Sequence, residues 1–357
     1  MRVVAYQAKP KLCLSKESFV DEIDRIVGEL KREYSPDLIV FPEALGLWMC
    51  MLRSATLLSR IFSVFLPGHS TAAGIALSGV RGKWDDDVSE GVSSVIQFVR
   101  PRRNEIISSM RVPSSLLGGL KEYDILKVRS TDEYEPSLIE RVSTWLFKNL
   151  KLKMIGMKLR SEEQFSAYIE AFSSAAKKHS VVIQAGSIFS IRGNKMFNIA
   201  HTFDENGVEV SQQEKIHPIA FEGMIGIEKG TNISTFTVKG VKCGVAICAD
   251  VNFKDDHVKA LADLGCKVIC CPSGGIVPNH MWKFNFDRDV ASCHLARSQE
   301  TGTVIFRTYN AGDLIPGILM FQGRSSITAP EEMAEGGLVE MVSEKDFVGE
   351  SVLVLDV

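Results

Sequence analysis

The chain has 357 residues and a formal charge of −3, so nothing in its overall balance calls for a nucleic-acid partner. That length accommodates two average domains or one large α/β unit with a substantial core. Its eight cysteines follow no regular spacing, and Met1 to Gln7 runs straight into a strand without a signal-like apolar core. Reduced thiols and a cytoplasmic location are expected, rather than a disulfide framework.

In chain order, Arg2 to Ala8 reads as a first strand. Lys16 to Lys31 reads as an amphipathic helix with Phe19, Ile23, Ile26, Val27 and Leu30 on one face. Pro36 to Phe41 is a short buried strand. Pro42 cannot continue a central ladder, which places Glu43 at the strand exit. After a long intervening segment, a second amphipathic helix runs from Glu162 to about His179. The strand Val181 to Ser187 follows, then a hairpin-like passage of Ile188 to Ile191 and Phe197 to Phe203 with a turn at Arg192-Gly193-Asn194. Val208 to Lys215 is the next strand and ends on a lysine.

The apolar, β-branched run Val241 to Asp250 reads as a strand buried on both faces, with Cys248 at its carboxyl end, where ligands meet the sheet in open α/β layouts. A helix over Asp255 to Leu264 and a strand over Lys267 to Cys271 follow. Pro272-Ser273-Gly274-Gly275 then forms a tight loop. Met281 to Thr301 gives a long helix, and Thr303 to Thr308, Ile318 to Thr328 and Ser351 to Val357 give further strands. Cys266, Cys270 and Cys271 are close in sequence, but neighbours on a strand point to opposite faces and cannot converge on one ion. No metal site is expected. Alternating strands and helices with interspersed hairpins predict an α/β fold with mixed sheets.

Three strand ends therefore carry a carboxylate, an ammonium and a thiol. The motifs around them are Phe41-Pro42-Glu43, Gly186-Ser187 with Phe197-Asn198, Glu214-Lys215-Ile216-His217-Pro218 and Gly244-Val245-Ala246-Ile247-Cys248-Ala249-Asp250. Pro272-Ser273, Ala296-Arg297 with Glu300, and Gly323-Arg324-Ser325 before Pro330 continue the pattern. Together they resemble the nitrilase superfamily of carbon-nitrogen hydrolases over residues 1 to 50 and about 160 to 357. The resemblance implies a four-layer αββα sandwich, a homodimer or higher homo-oligomer, and a Glu43-Lys215-Cys248 triad. A second glutamate after the lysine is often part of such a site. Glu222 is the best match and Glu228 the alternative.

The chemistry can be argued from the residues alone. A thiol is only slightly ionised at neutral pH, so a nucleophilic Cys248 needs a base and a cation nearby, which Glu43 and Lys215 supply. Lys215 and the backbone N–H of Ala249 would face the oxyanion of a tetrahedral intermediate. The scheme needs no cofactor. Its expected outcome is hydrolysis of a small linear amide or carbamoyl compound by way of a thioester. Acyl transfer to an amine, nitrile hydrolysis and a catalytically silent binding protein are the alternatives. Ala249 stands where many relatives place an aromatic residue, while the acid after it is kept as Asp250. Asp250, Asn279 and His280 are expected to line the substrate pocket.

Residues 51 to 160 depart most from the family and are expected to form a partly helical insertion inside one hydrolase domain. From Met51 to Ser161 there are 17 Lys/Arg against 11 Asp/Glu, a local +6 that leaves −9 for the rest. Arg53 and Arg60 interrupt the apolar run Ala44 to Leu66, each at roughly 2.5–3.5 kcal/mol at a bilayer centre, so a span is not expected. The segment Leu138 to Arg160 has an apolar stripe followed by lysines, compatible with a lid, an oligomer contact or a membrane surface. Because the insertion leaves the chain just after Glu43, it is expected to cover the mouth of the site.

Overall fold

The computed structural model describes residues 1–9, 11, 13, 15–45, 162–193, 195–219, 222–223, 226–252, 257–278, 293–315, 319–342 and 348–357. The expectations for residues 51–160, for the pocket residues Asn279 and His280, and for the helix from Met281 as far as Ser292 fall outside them.

The first sheet has the order β15-β1-β2-β3-β4-β5, formed by Ser351–Asp356, Arg2–Gln7, Leu38–Val40, Val182–Arg192, Lys195–Phe203 and Glu209–Glu214. Its central strands β1, β2 and β3 are parallel, and the outer pairs are antiparallel. The second sheet has the order β14-β13-β10-β8-β7-β6, formed by Leu338–Met341, Ser326–Thr328, Val304–Tyr309, Val268–Ser273, Val241–Val245 and Thr235–Val238. Here too three parallel strands, β7, β8 and β10, lie between antiparallel neighbours. A small third sheet joins β11 (Ala311–Ile315), β12 (Leu319–Gln322) and β9 (Ile276–Pro278).

Side-chain alternation along these strands sorts the core into layers. Val3, Ala5, Leu38 and Val40 of the first sheet meet Val245, Val268, Cys270 and Phe306 of the second. The intervening Val4, Ile39 and Ile183 face outward onto α1 (Lys16–Tyr34) and α2 (Glu162–His179). On the far side of the second sheet, α3 (His257–Asp263) covers Ile269, Cys271 and Ile305. The order is helix, sheet, sheet, helix, as the sequence implied. The adjacent Cys270 and Cys271 do point into different layers.

Local signals explain the helices. Ser15 and Ser18 form a reciprocal cap, each hydroxyl accepting the other's backbone N–H at 3.1 and 3.0 Å, and α1 ends at Ser35 in the left-handed region. The five apolar residues named from spacing are the five it buries. Edge-to-face rings then link the helix layer to the exit of β2, with Phe172 5.1 Å from Phe41 and Phe41 5.4 Å from Tyr6. The residue two before Glu43 is therefore fixed by aromatic packing.

Several boundaries differ from the sequence reading. The run Val241 to Asp250 is a strand only to Val245, after which the chain turns into one 3-10 turn at Cys248–Val251. The two pieces expected on either side of Ser187 are one strand, β3, with a register shift between Gln184 and Ser187 at Gly186. Pro272 and Ser273, expected in a loop, extend β8 opposite Thr308 and Tyr309. The β7 pairing has already ended at Cys270, so on that side no ladder is lost by a missing N–H. Ile318 to Thr328 was expected to be sheet-forming. It is two strands in different sheets, because Gly323 and Arg324 both take positive φ. The short strands β6, β9, β11 and β14 were not expected.

Candidate active site

Glu43 is positioned by its backbone. The Phe41 N–H donates to Gln184 O at 2.9 Å, the Ala44 N–H to Ser187 Oγ at 3.1 Å and the Leu45 N–H to Ser187 O at 3.1 Å. From the second sheet's β10 and the residue after it, Thr308 Oγ1 donates to Phe41 O at 2.9 Å and Asn310 Nδ2 to Glu43 O at 2.7 Å. Ala44 takes a φ of 60°, so the turn is sharp. Gly186 has a φ of 71°, and a Cβ there would lie 1.8 Å from Pro42 O. Only glycine lets the strand approach this turn.

The Glu43 carboxylate is buried and receives three donors: Lys215 Nζ and Asn198 Nδ2, each at 2.7 Å on Oε1, and the Gly274 N–H at 2.7 Å on Oε2. Lys215, just past β5, is 1 % exposed. Its ammonium also meets Glu222 Oε2 at 2.8 Å. Glu222 is buried and accepts the Ile219 N–H at 2.9 Å and Asn198 Nδ2 at 2.8 Å. Glu228 is exposed, so of the two alternatives the structure brings Glu222 to the lysine. Burial works against the Lys215 charge, but Glu222 and Glu43 outweigh it and hold the ammonium well above the ordinary lysine range. Burial, and then the Glu43 charge, raise Glu222 against the pull of Lys215.

Cys248 opens the 3-10 turn with a φ of 50°, a conformation that costs about 1–3 kcal/mol for a residue with a Cβ. The strand behind it is held by His257, whose Nε2 donates to Val245 O at 2.8 Å, and by Leu261 packed against Gly244. Burial and the Glu43 carboxylate push the Cys248 thiol up to about 12, while Lys215 and Arg307 pull against them. At neutral pH the thiol keeps its proton, and a base must take it as the sulfur reacts.

Asp250 was expected to line the pocket, and the structure gives it different work. It is wholly buried, and its carboxylate accepts the N–H groups of Ile216 at 3.2 Å, His217 at 2.6 Å and Ile247 at 3.1 Å. One side chain thus ties the loop after Lys215 to the residue before Cys248. Ala249, whose backbone was expected to serve as an oxyanion donor, lies buried in the same turn. Among the described residues, no group of three or more His, Cys, Asp and Glu is placed to hold a metal ion. No helix among them is long and apolar enough to cross a membrane.

The carbon-nitrogen hydrolase family model matches residues 155–332. The chain belongs to this family, the nitrilase superfamily. Curated relatives include a probable hydrolase of Bacillus subtilis, YhcX, 32% identical over 114 residues, or 32% of this chain. Nitrilase homolog 2 of Dictyostelium discoideum is 29% identical over 105 residues, or 27% of this chain. The matches span only 22% and 32% of the length of these two relatives. Among solved structures, an amidase from Nesterenkonia sp. AN1, with acrylamide added to its active-site cysteine, matches with a TM-score of 0.57 at 15% identity, covering all of this chain and 93% of that one. The same amidase in complex with butyramide matches equally well, over 90% of its length. These likenesses show the nitrilase fold. Lys215, Glu222 and Cys248 lie inside the family match and Glu43 outside it, so it is the folded chain that joins Glu43 to the others.

Sequence reasoning missed four contributors to this candidate site. Asn198 and Gly274 were seen in motifs but given no role, and Asn310 was not singled out. Arg307 is 2 % exposed within the fully buried β10, with its guanidinium 4.3 Å from the centre of the Tyr309 ring. An arginine in a buried strand and a polar residue at each strand end were the signals available.

Proposed function

We propose that this chain hydrolyses a small linear amide or carbamoyl compound through a thioester on Cys248. The observation that carries the reading is the buried ammonium of Lys215 held between Glu43 and Glu222, beside a protonated thiol. Such a charge cluster is costly to bury and cheap to replace with apolar side chains where only stability is at stake. In the proposed reaction Glu43 takes the Cys248 proton as sulfur bonds to the amide carbon. The carbonyl π electrons move to oxygen, where Lys215 and the Ala249 N–H stabilise the charge, each donor worth about 3–4 kcal/mol in the barrier. Glu43 then gives the proton to the amine as the carbon-nitrogen bond breaks. Water, deprotonated by Glu43, attacks the thioester, and the carbon-sulfur bond breaks to release the acid while Glu43 returns the proton to sulfur and restores the thiol.

Short aliphatic amides are the first candidates, because butyramide and acrylamide are the compounds found with the Nesterenkonia amidase. The test is intact mass spectrometry after mixing with short amides, ureido acids and nitriles. An acyl adduct on Cys248 that clears with time, and is absent in Cys248→Ala, is expected. Turnover by Cys248→Ala, or an adduct on another cysteine, would refute the reading. An amine that outcompetes water for the adduct would move the assignment to acyl transfer. A homo-oligomeric state and a cytoplasmic location belong to the same proposal and are tested by light scattering and cell fractionation.

A further inference from the structure

Asn198 lies on β4 and is fully buried. Its carbonyl accepts the Lys215 N–H at 2.8 Å, and its Nδ2 donates to Glu43 Oε1 at 2.7 Å and to Glu222 Oε1 at 2.8 Å. Both amide hydrogens are therefore committed to carboxylates. A carboxylate offers about four lone-pair positions, two on each oxygen. On Glu43, Lys215 and Asn198 fill both positions of Oε1, and the Gly274 N–H fills one of Oε2. Among the described residues, one position remains, on Oε2. On Glu222, Lys215 and the Ile219 N–H occupy Oε2, and Asn198 takes one position of Oε1.

We infer that Asn198 is a positioning residue for the proposed hydrolysis: it closes Glu43 Oε1, directs the Cys248 proton to Oε2, and keeps the two glutamates from sharing a proton. The charged groups facing it are Glu43, Glu222 and Lys215, and the Cys248 thiol feels the charges of Glu43, Lys215 and Arg307. Two carboxylates share a single ammonium here, and a neutral double donor lets both stay ionised without a second cation. Without it, like charges in a buried site are relieved by taking up a proton and bonding carboxyl to carboxylate. Glu43 would then be unavailable as a base until higher pH.

The inference rests on the proposed role of Glu43, and the experiment separates the two. Alkylation of Cys248 by chloroacetamide, a neutral amide-bearing electrophile, is followed by intact mass from pH 5 to 9 for the wild type, Glu43→Gln, Asn198→Ala and Asn198→Asp. The wild-type rate should rise along an acid limb that Glu43→Gln abolishes. In Asn198→Ala the midpoint of that limb should move up by about one pH unit or more. Asn198→Asp keeps the shape but exchanges donor for acceptor, and should move it further. A packing role predicts the opposite order, with the isosteric Asp variant nearer to wild type, and an equal loss at all pH values. That result, or a limb left in place in Asn198→Ala, would overturn the inference alone. A wild-type profile with no Glu43-dependent limb would overturn both it and the proposed role of Glu43. Should Asn198→Asp fail to fold, the Asn198→Ala midpoint decides.

Discussion

Asp250→Asn tests whether one carboxylate sets the spacing between Lys215 and Cys248. Oδ1 accepts from His217 at 2.6 Å, and Oδ2 from Ile216 and Ile247 at 3.2 and 3.1 Å. An amide has one acceptor oxygen. Placed at Oδ2 it keeps two bonds but turns its NH2 against the His217 N–H, and the reverse placement opposes two N–H groups. The first is cheaper and still loses one charge-assisted bond of about 1.5–3 kcal/mol while leaving a buried donor unsatisfied. A destabilisation of about 2–4 kcal/mol follows, on the order of 3–5 °C in melting temperature for a protein of this size. The loop must also swing away from the 3-10 turn, and a displacement near 1 Å costs about 100-fold in rate. The assay is a thermal melt together with the rate of Cys248 acylation, for Asp250→Asn against wild type. An unchanged melting temperature with an unchanged acylation rate would show that Asp250 does not hold the two segments together.

Glu43→Gln should lower kcat by about 10²–10⁴-fold with little change in KM, because proton transfer belongs to the transition state; a rise in KM alone would make Glu43 a substrate ligand. Lys215→Met leaves two buried carboxylates without their cation and should destabilise the fold by about 3–5 kcal/mol in a denaturant melt. Gly186→Ala must move Pro42 O or the strand, since the new Cβ would stand 1.8 Å away, so activity should fall together with stability. Burial pushes the Cys243 thiol up to about 12 from an ordinary value of 9.0. Between those values the native state holds a proton that the unfolded chain releases, so stability is unaffected below pH 9 and falls as pH rises above it. The slope is about 1.4 kcal/mol per pH unit for such a thiol, and Cys243→Ala should flatten the alkaline decline even though its cavity lowers the baseline.

Periodicity made the buried face of α1 and the parallel core strands legible, because both are dictated by local alternation against a single apolar layer. The short strands β6, β9, β11 and β14 escaped because each is only three to five residues long and depends on its neighbour for pairing. The strand ends behaved differently. Glu43, Lys215 and Cys248 could be named from their places at strand ends together with the family resemblance, but what binds them together is carried by Asn198, Gly274, Asn310 and Asp250, whose partners lie up to 267 residues away in the chain. No local pattern can encode a carboxylate that accepts from one loop before the nucleophile and another after the lysine.

This division also explains why Asp250 was misread. From sequence it looked like a polar group beside a nucleophile, and therefore like a pocket residue. In the folded chain three backbone N–H groups donate to it, and the His217 ring nitrogen Nδ1 lies 3.3 Å from Oδ1. Glu43 differs in the kind of its donors, an ammonium and a side-chain amide on Oε1 with a single backbone N–H on Oε2. The kind of donor thus separates a carboxylate set in a charged cluster from one that braces the backbone, a distinction that residue type alone does not carry.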